Sequence, residues 1–187
     1  MPVSAAGWIV AALSAVLAVA GLGMTGHMMA HMAAVAIAAP LIALGAPARG
    51  GSAGAPLGWA MAEFAIVWAW HAPALRALAD AHLAVALVEQ ALFLGVGIAL
   101  WRSALAQPAA GVAALLVTSM HMTLLGVLIG LAGRPLYMMM AMHPAPGLDA
   151  LADQALGGVV MLVVGGASYC LGGLWLLGTI LKGRRAA

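Results

Sequence analysis

The chain has 187 residues, of which 66% are hydrophobic and only 6% are charged, and its formal net charge is +2. Soluble domains carry a charge on about a quarter of their residues, so this composition excludes a soluble globular domain. It predicts a polytopic membrane protein embedded in the lipid bilayer. The few cations give no support for a nucleic-acid partner, and the continuous apolar runs exclude a transmembrane barrel, whose strands alternate.

Six apolar runs of helical length follow one another, and together they predict a single transmembrane helical domain over residues 1–187. A membrane-spanning helix needs about 20 residues, so a chain of this length has room for six. We therefore predict an all-α integral membrane protein, a bundle of about six transmembrane helices. The predicted spans are residues 3–23, 27–45, 57–71, 81–101, 109–132 and 151–181.

Two of these spans carry features that bear on helix shape and packing. Pro40 lies in the second half of the second span, where a proline is tolerated and bends the helix. In the last span, glycine pairs recur every seven residues and predict a smooth stripe for close helix packing, with no chemistry of its own. These pairs are Gly157-Gly158, Gly165-Gly166 and Gly172-Gly173.

The distribution of cations predicts the orientation of the bundle. With six spans, both termini lie on the same side as the loops after the second and fourth spans. Loops rich in Lys and Arg face the cytoplasm, so we expect cytoplasmic termini in a bacterial inner membrane. The side of the termini holds Arg49, Arg102, Lys182, Arg184 and Arg185, whereas the other side holds only Arg76 and Arg134.

The stretch from Gly26 to Met32 is the densest group of metal-binding side chains in the sequence. On a helix, His27 and His31 are four residues apart and share one face, with Met28 beside them. Imidazole and thioether are soft neutral donors, which favour copper, as Cu(I), over metals that prefer oxygen. The alternative is ordinary core packing, since methionine fills irregular gaps and histidine forms hydrogen bonds between helices.

The predicted topology places most histidines at the periplasmic or extracellular face. Polar side chains buried in a membrane face the bundle interior and mark a functional site more often than not. Glu89, seven residues after His82, and Asp153 are expected to orient or neutralise the ligands. The alternative for Glu89 is a protonated or hydrogen-bonded structural glutamate, and Asp153 also suits a helix cap. The candidate copper ligands are His27, His31, His71, His82, His121, Met28, Met32, Met120 and Met122.

Other chemistry finds little support. A methionine run at residues 138–142, followed by His143, suits a loop that receives a soft metal or an amphipathic segment on the bilayer surface. Glu63 and Cys170 fall in the inner half of the bundle, so we expect neither to bind metal. No nucleophile–base pair, phosphate-binding loop or dinucleotide motif is present, and we expect no enzymatic activity.

Several short motifs, in order along residues 27–161, resemble the polytopic CtaG family of cytochrome c oxidase assembly factors. The resemblance implies an integral membrane protein that helps a haem-copper oxidase to mature, with a role in supplying copper to an oxidase subunit. A periplasmic copper donor would be a second partner. The motifs are His27-Met28-Met29-Ala30-His31-Met32, Ala39-Pro40, Trp70-His71-Ala72-Pro73, His82 with Glu89, Leu124-Leu125-Gly126, Pro135-Leu136-Tyr137, and Asp153-Gln154 with Gly158 and Met161.

The chain also departs from the family pattern. The family has Glu-His in the fourth span, where this chain has Glu89-Gln90, and His121 is a candidate replacement for the missing imidazole. Family members usually have a seventh span, whereas six are predicted here.

Two further functions fit the same histidines. A haem-binding electron-transfer subunit would use imidazoles on different helices as axial ligands. A metal-free accessory subunit of a respiratory complex would use them only for hydrogen bonds between helices. The clustering of His27 with His31 and the abundance of methionine favour copper handling.

Overall fold

The computed structural model describes residues 3–45 and 55–185, and within these ranges every regular element is a helix. Arg49, which the sequence places in the loop after the second span, lies outside the described residues. The elements in chain order are α1 (Val3–Ala18), α2 (Gly23–Met32), a π-helical turn (Ala33–Ala38), α3 (Ala39–Gly45), α4 (Pro56–Trp70), α5 (Pro73–Ala81), α6 (Leu83–Ala106), α7 (Pro108–Gly130), α8 (Met138–Met142), α9 (Ala150–Val160), a second π-helical turn (Met161–Gly165) and α10 (Gly166–Arg185).

Four helical stretches in the described part of the chain are long and apolar enough to cross a membrane. The prediction of an all-helical membrane protein is therefore confirmed. Helices α1 and α4 are shorter, at 16 and 15 residues, so the count of six spans and the cytoplasmic termini stay predictions. The four stretches are Gly23–Gly45, Leu83–Ala106, Pro108–Gly130 and Ala150–Gly183.

The bend expected at Pro40 takes the form of the π-helical turn over Ala33–Ala38. Proline has no N–H group, so the carbonyl of Ala36, four residues earlier, loses its usual helical donor. The hydroxyl of Ser168 donates to that carbonyl at 2.7 Å. The last long helix thus supplies the hydrogen bond that Pro40 removes from the second.

The glycine stripe of the last span packs against other helices of the same chain. A Cβ atom on Gly158 would lie 2.5 Å from the carbonyl oxygen of Gly126 and 2.6 Å from Cα of Gly130, both on α7. Gly165 leaves room for two thioether side chains, since its Cβ would lie 3.0 Å from Sδ of Met32. The stripe therefore has the packing role that its spacing predicts.

Two local differences from the sequence-based predictions affect the site. The residues around Arg76 lie between the predicted spans 57–71 and 81–101, and they form the helix α5, which begins with Pro73 in the favourable first turn. The second long helix begins at Gly23 rather than at His27, so His27 and His31 both lie within its first three turns. Gly23 has a φ of +59°, which a glycine adopts readily at this turn.

Candidate functional site

Three histidines from two helices form a compact buried cluster. His27 and His31 lie on one face of α2, and His71 follows the last residue of α4. The ring centroid of His71 lies 5.3 Å from that of His27 and 5.2 Å from that of His31, and the first two rings are 6.3 Å apart. All three side chains are buried, and we call them the histidine cluster.

The hydrogen bonds of the three rings differ. His71 Nδ1 lies 2.7 Å from the carbonyl oxygen of Val67, one turn earlier, and His27 Nδ1 lies 2.9 Å from Nη1 of Arg76. Four buried ring nitrogens of the cluster have no hydrogen-bond partner: Nε2 of His27, both nitrogens of His31, and Nε2 of His71. Buried polar atoms are usually paired, so these four are exceptions that call for a partner.

Apolar side chains pack against the cluster on its inner side. Phe93 of α6 stacks on the ring of His31, with centroids 4.0 Å apart and planes 20° apart. Met28 and Met32, both predicted as thioether donors, are fully buried in the same core, and Met122 of α7 lies with Met32 against Gly165. Imidazole and thioether groups therefore share one water-poor interior.

A charged network borders the cluster. Nη1 of Arg76 donates to both carboxylate oxygens of Glu89 at 2.6 Å, and Nε donates to Asp80 at 3.1 Å. Arg76 and Glu89 are each only 3% exposed. Burial raises the pKa of the Asp80 carboxyl above its ordinary value, and the nearby Arg76 guanidinium opposes that shift. The spacing of Glu89 from His82 predicts that they act together, but the structure pairs Glu89 with Arg76.

Arg76 is the site residue that sequence reasoning missed. The contact with His27 bridges 49 positions of sequence and the contact with Glu89 bridges 13. The sequence does contain one indication of this role. Arg76 and Asp80 are four residues apart, and on a helix this spacing brings opposite charges together.

A cavity of about 320 Å³ leads from the surface to this network. It borders His27, Arg76 and Asp80, but neither His31 nor His71. Its rim includes Met139, Met140 and His143 from the methionine run, of which Met138–Met142 forms the short helix α8. We call this space the surface cavity.

Of the other predicted ligands, His121 lies near enough to His31 for their charges to interact, whereas His82 and Met120 are exposed. His82 is exposed at the residue before α6. His121 is buried on α7, and its ring meets Phe64 edge-on at 5.3 Å, with both ring nitrogens unpartnered. Met120 is 72% exposed, so its side chain points away from the bundle interior.

Two polar residues near the predicted site hold helices together. Asp153 accepts hydrogen bonds from the backbone N–H groups of Met24 and Thr25, and so caps the helix that carries the histidines. Gln90, the residue after Glu89, donates to the hydroxyl of Ser14 and to the carbonyl of Ala30.

Glu63 and Cys170, which the sequence analysis does not expect to bind metal, are not part of the histidine cluster. Glu63 is fully buried and accepts a hydrogen bond from the hydroxyl of Tyr169 at 2.5 Å. Cys170 is a free cysteine of intermediate exposure.

The donor set of the histidine cluster suits a soft monovalent metal. Imidazole nitrogens and thioether sulfurs are the groups that select Cu(I), and four ring nitrogens are unpartnered. Within residues 3–45 and 55–185, however, no three His, Cys, Asp or Glu side chains are placed so as to hold an ion together. His31 and His71 are free to bind, whereas Arg76 engages His27.

The structure thus defines a helical membrane protein with a buried histidine cluster beside an arginine–carboxylate network. Residues 50–182 match the Caa3_CtaG family model, described as cytochrome c oxidase caa3 assembly factor. The chain belongs to this family, as the sequence motifs indicated, and the family implies an accessory role in assembling cytochrome c oxidase. The matched range includes His71, Arg76 and Glu89 and begins after the helix of His27 and His31. No curated protein and no solved structure matches the chain.

Proposed function

We propose that this protein binds Cu(I) in the histidine cluster at the periplasmic side of the bacterial inner membrane and presents it to a haem-copper oxidase subunit. The observation that carries the proposal is the pair of neighbouring histidines His31 and His71, whose rings have unpartnered nitrogens in a buried interior that also holds methionines. Leaving such groups without a partner costs free energy, which a bound metal would recover.

The environment of His71 supports metal binding in particular. A backbone carbonyl only accepts hydrogen bonds, so the contact with Val67 places the proton of a neutral His71 on Nδ1. Nε2 then keeps its lone pair, and it is one of the unpartnered nitrogens. Metal-binding histidines usually show this arrangement, in which the second ring nitrogen donates to a carbonyl and fixes the ring.

The surface cavity provides a route for copper. Met139, Met140 and His143 offer thioether and imidazole donors at its rim, and His27 lies at its inner side. A periplasmic copper donor would deliver Cu(I) here. The ion would then pass to His31 and His71, which the cavity does not reach.

The arrangement gives less support to haem. Axial histidines need to face each other across a space that holds a macrocycle. Here the three ring centroids lie within 5.2 to 6.3 Å of one another, and Phe93 stacks directly on His31. Copper therefore remains the better candidate for the cluster.

A complementation experiment tests the proposed function. Cells that lack the protein receive the wild type, His31→Ala, His71→Ala, or His82→Ala as the matched control. The haem and copper contents of the purified oxidase are then measured. We expect the first two variants to yield oxidase with normal haem and depleted copper, and the wild type and His82→Ala to restore both. Full copper loading with His31→Ala and His71→Ala would refute the proposed role in copper supply.

A further inference from the structure

We infer that Arg76 is a positioning residue of the histidine cluster. It holds His27 in the tautomer that cannot bind a metal through Nε2. When Arg76 is displaced, His27 joins His31 and His71 in a three-histidine site. The inference rests on the proposed copper function. In this inference, Arg76 determines whether two or three histidines of the cluster can bind the metal.

The chemistry of one contact sets the tautomer. A guanidinium has five N–H donors and no acceptor, so at 2.9 Å Nη1 of Arg76 must donate to Nδ1 of His27. Nδ1 is then the ring nitrogen without a proton, and the neutral imidazole carries its proton on Nε2. A protonated ring nitrogen has no lone pair for a metal, while the lone pair of Nδ1 is already occupied by Arg76.

His71 has the opposite tautomer, with its proton on Nδ1 and a free Nε2. His31 has no hydrogen bond on either nitrogen, so nothing fixes its tautomer. Two of the three histidines can therefore bind a metal at once, and the third is withheld.

Arg76 is placed where an incoming ion would meet it. It borders the surface cavity together with His27 and Asp80, and it is carried by α5, a helix of nine residues. Glu89 accepts from the same Nη1 atom and Asp80 accepts from Nε, so the arginine keeps carboxylate partners when it leaves His27.

The charge at the site favours such an exchange. The guanidinium carries one positive charge, as Cu(I) does, and two carboxylates surround it. Two carboxylates and one guanidinium leave a net negative charge, which Cu(I) bound at His27 would neutralise while Arg76 keeps its pairing with the buried Glu89. A buried carboxylate left without a cation would be strongly unfavourable.

The tautomer can be measured without copper. The ¹³C and ¹⁵N chemical shifts of labelled histidine distinguish a proton on Nδ1 from one on Nε2, and His27→Ala assigns the signals. In the wild type we expect His27 with its proton on Nε2 and His71 with its proton on Nδ1. A His27 signal with the proton on Nδ1 would overturn the inference, whatever the protein does with copper.

The second measurement is Cu(I) affinity, by competition with a chelator of known affinity under reducing conditions. The double variant Arg76→Met/Glu89→Gln removes the donor to His27 together with the buried charge of Glu89, and only the partly exposed Asp80 loses its cation. A hydrogen bond from a charged donor is worth enough to alter affinity by about tenfold to a hundredfold, so we expect tighter binding by that factor. Glu89→Gln alone and Arg134→Met, at an exposed arginine, are the matched controls.

The outcomes separate this inference from the proposed function. If the wild type binds Cu(I) through His31 and His71 but the double variant binds it no more tightly, Arg76 does not control the site and the copper function stands. If neither protein binds Cu(I), both fail, although the tautomer still reports the contact between Arg76 and His27. If the double variant does not fold, an Nδ1 proton on wild-type His27 remains the decisive contrary result.

Discussion

The carboxylate of Asp153 accepts a hydrogen bond from the backbone N–H of Met24 at 2.7 Å, and so caps a helix that lies 129 residues away in sequence. It also accepts from the N–H of Thr25 at 3.0 Å, while the hydroxyl of Thr25 donates back to the Asp153 carbonyl. The first N–H groups of a helix have no partner within it, so a buried helix start needs such an acceptor. Asp153 therefore anchors the helix of His27 and His31 to α9.

Removing this cap should destabilise the protein. Asp153 is only 1% exposed, and Asp153→Ala leaves the buried N–H of Met24 and the partly buried N–H of Thr25 without an acceptor, at a cost of about 1–3 kcal/mol. The unfolding midpoint in a mild detergent, titrated with a denaturing one, measures the loss. Asp149→Ala is the matched control, because Asp149 caps the start of α9 at an exposed position. An equal loss in both variants would contradict the anchoring role of Asp153.

The hydroxyl of Tyr137 should link stability to alkaline pH. It donates to the carbonyl of His71 at 2.9 Å, and burial raises the pKa of Tyr137 to about 12. A tyrosine in the unfolded chain loses its proton near pH 10, so the folded state holds a proton more tightly between the two values. We expect the free energy of unfolding to fall as pH rises from about 10 to about 12, and to fall less in Tyr137→Phe. Equal pH dependence in the two proteins would contradict the assignment.

Gln90 should act in helix packing and not in metal binding. Its side-chain amide donates to Ser14 at 3.0 Å and to the carbonyl of Ala30 at 3.1 Å, which joins α6 to α1 and α2. Gln90→Leu removes both bonds inside the bundle, and we expect a loss of about 1–3 kcal/mol in the free energy of unfolding. Copper stoichiometry should not change. A variant of normal stability that has lost copper would show that Gln90 serves the metal.

Close packing of α9 against α7 gives a steric prediction. A Cβ on Gly158 would meet backbone atoms of Gly126 and Gly130, which cannot rotate away, so Gly158→Ala should cost about 1–3 kcal/mol. Gly178→Ala on α10 is the control, since a Cβ added at Gly178 would have no atom within 4 Å. Alanine has the higher helix propensity, so that control should be neutral or slightly stabilising. Destabilisation by Gly178→Ala alone would contradict the packing described.

The helices and the pairing of His27 with His31 could be predicted from local sequence. Long apolar runs indicate helices in a membrane, and residues four apart share a helical face. The same rule placed a packing stripe on the glycines of the last span. These features depend on residues near one another in the chain, so composition and spacing were sufficient.

The remainder of the site depends on contacts between distant residues. The polar residues around Arg76 are typical of a loop and predict a connection, yet α5 folds back against α6 and buries the arginine. A spacing of seven pairs Glu89 with His82, but a neighbouring helix offers a guanidinium instead. Asp153 is expected to serve the metal or its own helix, and it caps another. Spacing within one helix cannot indicate which partner a different helix supplies.

The most direct test is the copper content of the purified protein after Cu(I) loading in reducing buffer, measured by mass spectrometry alongside a visible spectrum. We predict about one copper per chain in the wild type, no haem absorbance, and loss of the copper in the double variant His31→Ala/His71→Ala. His82→Ala serves as the control and should keep it. A wild-type protein without copper after loading, or a double variant that retains it, would contradict the assignment of the histidine cluster as a copper site.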